Sequence, residues 1–136
     1  MIEKESDFGA LAAQEISDLH RVLQAWFRAE GPNDQNLVLE HFDDSFRMIA
    51  PGGNTVPYSK FVGGLSAMRG SRPGLVMDIS DVEVRFSDSA VAVISYRERQ
   101  SQDGQTTDRL STAILIRKIE RKFPQWVHLH ETWAAK

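Results

Sequence analysis

The chain has 136 residues, 41% apolar and 26% charged, a balance that supports one hydrophobic core and excludes the polar, highly charged profile of a disordered chain. Its formal charge is -3 and its lysines and arginines are scattered rather than gathered on one predicted helix, so the electrostatic footprint of a nucleic-acid partner is missing. There is no cysteine, which excludes disulfide staples, thiolate nucleophiles and sulfur-ligated metals. The opening MIEKESDFGALAAQ lacks a basic stretch followed by an apolar one, and no run approaches the roughly 18 apolar residues that span a bilayer; the expectation is a cytoplasmic protein without a membrane partner.

From Phe8 the apolar positions Leu11, Ala12, Ile16, Leu19, Val22, Leu23, Trp26 and Phe27 recur at three and four residues, which predicts a long amphipathic helix ended by Gly31-Pro32. Asn33 or Asp34 can cap a second helix carrying Leu37, Val38 and Phe42, until Asp43-Asp44-Ser45 breaks the pattern. Phe46 to Ala50 reads as a strand, Pro51-Gly52-Gly53-Asn54 as a turn, and Thr55 to Pro57 as the returning strand. Ser59 is the expected cap of a third helix through Phe61, Leu65 and Met68. Gly63-Gly64 inside it implies either a weak helix or the close approach of another backbone.

Four strands follow, about Leu75 to Phe86, Ala90 to Ser101, Gln105 to Ile119 and Gln125 to Ala134, with turn signals at Asp88-Ser89, Asp103-Gly104 and Pro124. They read as an antiparallel meander. The apolar phase Leu75, Met77, Ile79 slips to Val82, Val84, Phe86, which predicts a bulge near Ser80-Asp81. The order predicts one α+β domain over 1–136: three N-terminal helices on the concave side of a strongly curved, mostly antiparallel sheet, a cone with a ligand-sized hollow.

Two segments carry a family likeness. SYRERQSQDGQTTDR followed by STAILIRK, and the terminal WVHLHETW, resemble the last three strands of the association domain of calcium/calmodulin-dependent protein kinase and its relatives in the nuclear-transport-factor-2-like (SnoaL-like, cystatin-like) superfamily. In that domain, arginines on these strands point into the pocket and hold a carboxylate. The resemblance places Arg97 and Arg117 at two such positions, while the third falls on Glu131, which can neutralise an arginine. It also implies that the outer sheet face is where subunits meet.

The candidate ligand-binding set is Arg97, Arg117 and Glu131, with Trp26 on the first helix and Tyr58 near the third. By the same phase Tyr96 faces outward and Glu98 is an exposed cross-strand residue. His128 and His130 share a strand face and could chelate a metal, yet no third and fourth ligand can be named, and with Glu131 inward they face outward; the reading assigns no metal and no cofactor. Ketosteroid isomerase and polyketide cyclases share the fold, but the position of the isomerase base is Ala50 here, and no carboxylate lies between Asp108 and Glu120 for its second acid. Apolar residues on both faces of the last strands, Val91 and Val93 against Ala92 and Ile94, predict a homodimer packed sheet to sheet. Three readings stay open: a binding module for a small organic molecule, an acidic one if the arginine likeness holds; an enzyme of the isomerase, cyclase or dehydratase type using a pocket acid–base pair; and a homo-oligomerisation module with no ligand.

Overall fold

The structure is a computed structural model that describes residues 3–135. Helix α1 (Glu3–Phe27) buries Phe8, Ala12, Ile16, Leu19 and Trp26 along one stripe, as the spacing predicts, although Leu11, expected with them, is exposed; Glu15 and His20 lie among the buried set. The helix ends before Gly31: Ala29 takes the left-handed position with φ 55°, its N–H bonds the Trp26 carbonyl at 3.1 Å, and the Glu30 N–H reaches the Ala25 carbonyl at 2.8 Å.

The second helix, α2 (Asn36–Leu39), is a single turn, with the Asp34 carboxylate accepting the Asn36 N–H at 3.0 Å. Phe42, expected on its face, instead opens strand β1 (Phe42–Ile49). The Asp43-Asp44-Ser45 stretch lies within that strand, at an irregularity in its pairing, where Asp43 bonds Ser45 and pairs with Lys118. Phe42 and Phe46 both turn inward, rings 4.7 Å apart and edge to face. Strand β2 (Thr55–Pro57) returns beside β1, and helix α3 (Tyr58–Met68) begins with Pro57 at its cap rather than Ser59.

Strands β3 (Val76–Ser87), β4 (Val91–Gln102), β5 (Gln105–Ile116) and β6 (Gln125–Trp133) form the expected meander. β5 stops short of Ile119, whose side chain is 97% exposed. The sheet order is β2-β1-β6-β5-β4-β3, with β1 parallel to β6 and every other pair antiparallel, so the curved sheet is mixed. The predicted bulge is present: pairing with β4 slips between Ser80 and Glu83, and Asp81 sits at φ 54°.

Gly9 lets α1 settle on β3, since a Cβ there would meet the Ser87 hydroxyl oxygen at 2.7 Å and Val84 at 3.3 Å. Gly63 and Gly64 have another cause than close backbone approach. A Cβ on Gly63 would meet nothing within 4 Å, and one on Gly64 only the Met68 terminal methyl at 4.0 Å.

Under the helices, Ala92, Ile94 and Tyr96 of β4, Ala113 and Leu115 of β5, and Trp126 and Leu129 of β6 form the core. Each large apolar side chain buried there contributes about 1.5–3 kcal/mol. On β4 the same phase continues into Glu98 and Gln100, both buried, and turns Val93, Ser95, Arg97 and Arg99 to the opposite face.

Candidate functional site

A cavity of about 370 Å³ lies between α1, α3 and the sheet. Phe42, Phe46, Phe61, Met48, Met68 and Trp126 are among its mainly apolar lining, to which Gly64 contributes no side chain. His20, Glu98, Gln100 and Glu131 are its buried polar residues; Lys60, exposed, is the other polar lining residue.

These buried residues form one network. His20 Nδ1 donates to the Ile16 carbonyl at 2.7 Å, and Nε2 stands 3.2 Å from Glu98 Oε1. With Nδ1–H committed, Nε2 donates to Glu98 only when the ring is an imidazolium, and the pair is then a cation facing a carboxylate. Burial pulls the His20 pKa down, but the Glu98 hydrogen bond and charge more than offset that and carry it above its ordinary value. Burial pushes Glu98 up, while His20 and the Gln100 amide bring it net below the usual carboxylate range. Gln100 Nε2 donates to Glu98 Oε2 at 2.7 Å, and Gln100 Oε1 accepts from Arg72 at 2.7 Å.

Glu131 is the second carboxylate. Its oxygens accept from Arg109 at 3.2 Å and from the Ser111 hydroxyl at 3.4 Å. Burial first, then the neighbouring Glu98 charge, raise its pKa, and Arg109 offsets only part of that. The two glutamates are thus pushed in opposite directions. The register explains the grouping: Tyr96, Ser111 and Glu131 lie in one cross-strand row, and Glu98, Arg109 and Trp133 in another. The Tyr96 hydroxyl, in the first row, is buried beside Ser111, without a well-formed hydrogen bond.

Of the five predicted ligand-binding residues, Glu131 lines the cavity and the other four do not. Arg97 points to the opposite face, 3.8 Å from Asp108, because β4's buried phase runs through Tyr96 and Glu98; those two residues accordingly face inward, against expectation. Arg117 follows the end of β5, where its Nε donates to the Ser89 carbonyl at 2.9 Å and its guanidinium lies 4.8 Å over the Phe8 ring. Trp26 donates its indole N–H to the Leu65 carbonyl at 2.8 Å and borders a separate cleft of about 290 Å³ that includes His41. Tyr58 borders a polar cleft of about 420 Å³ with Asp43 and Lys118. From sequence, His20 and Gln100 have no site role, Arg109 has only a weaker claim, and Glu98 reads as exposed; His20 within an apolar helical stripe is the available signal.

A larger hollow of about 860 Å³, broadly open to solvent, lies on the other side of the sheet, where Arg97, Leu110, Thr112 and His130 are found; the intervening strand positions Tyr96, Ser111 and Glu131, buried toward the inner side, border it as well. His128 and His130 face away from the inner cavity, since Leu129 and Glu131 alternate into it. Among the described residues no group of three or more His, Asp or Glu could hold a metal ion, and no helix is long and apolar enough to cross a membrane.

No protein-family model and no curated protein matches the chain. Solved structures do. An NTF2-like protein of unknown function from Pseudomonas aeruginosa is 28% identical with a TM-score of 0.83, covering 90% of this chain and 97% of its own. The CaMKII hub homology domain of Chlamydomonas reinhardtii is 20% identical, TM-score 0.67, covering 91% and 99%. An NTF2-like protein of unknown function in nutrient uptake from Rhodospirillum rubrum is 19% identical, TM-score 0.64, covering 88% and 95%. The chain has the nuclear-transport-factor-2-like fold that its last strands suggested, and hub domains stand among its structural neighbours.

Proposed function

We propose that this chain binds a small, largely apolar organic molecule in the cavity between the helices and the sheet. The observation that carries the reading is a 370 Å³ hollow walled by aromatic and thioether side chains, with polar groups gathered at Glu98, Gln100, Glu131 and His20. That volume falls in the lower part of the range of small-molecule sites, and the combination of apolar walls with a few convergent polar groups is their usual chemistry. An acidic ligand loses its support, because Arg97 and Arg117 are elsewhere and the buried polar lining carries two carboxylates.

Gly64 supplies the test. Its position is helical and open, so Gly64→Leu fills the hollow without backbone strain. A neutral apolar probe at a hundred times its Kd is expected to stabilise the natural chain by about 2.7 kcal/mol and to leave Gly64→Leu unmoved. Equal stabilisation of both chains would place binding elsewhere and contradict the reading.

A second reading concerns the outer sheet face, where Leu110 is 46% exposed and Val93, bordering the same open hollow, is half-buried. An antiparallel sheet with apolar residues on its second face calls for a cover, and a second copy joined by a two-fold axis supplies one. Light scattering should give a dimer mass for the natural chain and a monomer mass for Leu110→Arg; the same mass for both would refute it.

A further inference from the structure

Hydrogen-bond accounting on the cavity wall narrows the ligand. His20 has no donor to spare, since Nδ1 is spent on the Ile16 carbonyl and Nε2 on Glu98. Gln100 cannot turn its amide around: Arg72 can only donate to it and Glu98 can only accept from it, so its oxygen is held toward Arg72 and its nitrogen toward Glu98. Arg109, which holds Glu131, is not part of the cavity lining, and Lys60 is exposed. The acceptors are in surplus. Each oxygen of Glu98 and of Glu131 takes one hydrogen bond from the chain and keeps a second lone pair, and both carboxylates belong to the lining.

We infer that the cavity selects an apolar molecule whose polar end donates hydrogen bonds, a hydroxyl or an ammonium group, and that Glu131 and Glu98 receive it. The inference rests on the cavity being a ligand site. A head group that only accepts, such as an ether, a ketone or a carboxylate, seated at the Glu98–Glu131 wall and away from the exposed Lys60, would bring its lone pairs against carboxylate oxygens and bury both sides unpaired. A site built to bond a donor rejects the analogue that lacks it far more strongly than a hydrophobic wall discriminates size.

The test is a matched series differing only at the head group: phenylbutanol, phenylbutylamine, the methyl ether of phenylbutanol, phenylbutyrate and headless butylbenzene, titrated by calorimetry into three proteins. In the natural chain the alcohol or the amine is expected to bind at least about tenfold tighter than the ether and phenylbutyrate, and the better of the two identifies the head group. Glu131→Gln retains an oxygen for Arg109 and offers its amide to the Ser111 hydroxyl; it should shrink that preference by about tenfold. Gly64→Leu should abolish binding of the whole series. Ether or phenylbutyrate binding as tightly as the donors, or a preference unchanged in Glu131→Gln, would overturn the inference. Butylbenzene separates the two levels. If it binds the natural chain but not Gly64→Leu while head groups make no difference, the cavity reading stands and the donor rule falls; if no probe binds, both fall.

Discussion

Helix α1 takes part in two buried histidine–glutamate pairs, and their surroundings differ. Glu15 accepts from His41 at 2.6 Å and from the Trp126 indole at 3.0 Å, while the Phe123 ring stacks 4.1 Å from the His41 ring. One carboxylate oxygen thus ties α1 to the entry of β1 and to β6, off the cavity. His20, one turn and a half further along, meets Glu98 on the other side of Trp126, and this pair forms part of the cavity wall. The same chemistry serves chiefly as a pin in one place and as cavity lining in the other: both pairs are buried, but Glu15 spends one oxygen on His41 and Trp126 and is not part of a cavity wall, whereas His20 and Glu98 both line the 370 Å³ hollow.

The largest effect should come from breaking the pin. Glu15→Ala leaves the His41 ring and the Trp126 N–H buried without their acceptor, and unfolding in urea should show a loss of about 3–5 kcal/mol. Probe binding by the fraction still folded should be unchanged. Glu98→Gln should cost less, about 2 kcal/mol, and should alter binding as well as stability.

The cavity pair also carries a pH signature. A raised histidine contributes stability that is complete below its unfolded value of 6.5 and is lost as pH rises through the folded value. A lowered glutamate contributes above its unfolded value of 4.5 and loses the contribution as pH falls through the folded one. The pair therefore stabilises most between 4.5 and 6.5. Glu131, with its raised value, works the other way, stabilising most below 4.5 and less as pH rises. The groups around His20 are Glu98, Glu131, Tyr96 and Trp126. Thermal melts of the natural chain should decline above pH 6.5, and Glu98→Gln should flatten that decline.

Two smaller changes sharpen the contrast. Tyr96→Phe removes a buried hydroxyl whose contact with Ser111 falls short of good hydrogen-bond geometry, so stability should change by under about 1 kcal/mol, with the cavity intact. Arg97→Ala, on the far side of the sheet and part of a partly exposed cluster with Asp108, should change stability by under about 0.5 kcal/mol and leave binding unaltered.

The layout of the fold was legible because it is written in local periodicity: the α1 stripe, the meander, and the phase slip that became the bulge at Asp81. The face of β4 was not. Both phases of that strand are apolar over 91–96, so alternation allowed either one, and the arginine likeness selected the phase with Arg97 inward. Burial of Glu98 depends on His20, 78 residues away, a contact that no local pattern reveals. The second helix failed for a related reason: Phe42 fits a helical face by spacing, but its ring is needed against Phe46 and Phe61, which only β1 can deliver.

The most direct measurement is a nuclear magnetic resonance titration with phenylbutanol, following side-chain and indole signals on both sides of the sheet. Shifts at the Trp126 indole, the Gln100 side-chain amide and the Met68 methyl, absent in Gly64→Leu, are the predicted result. Shifts confined to Leu110, Thr112 and His130 would put the ligand on the outer face and contradict it.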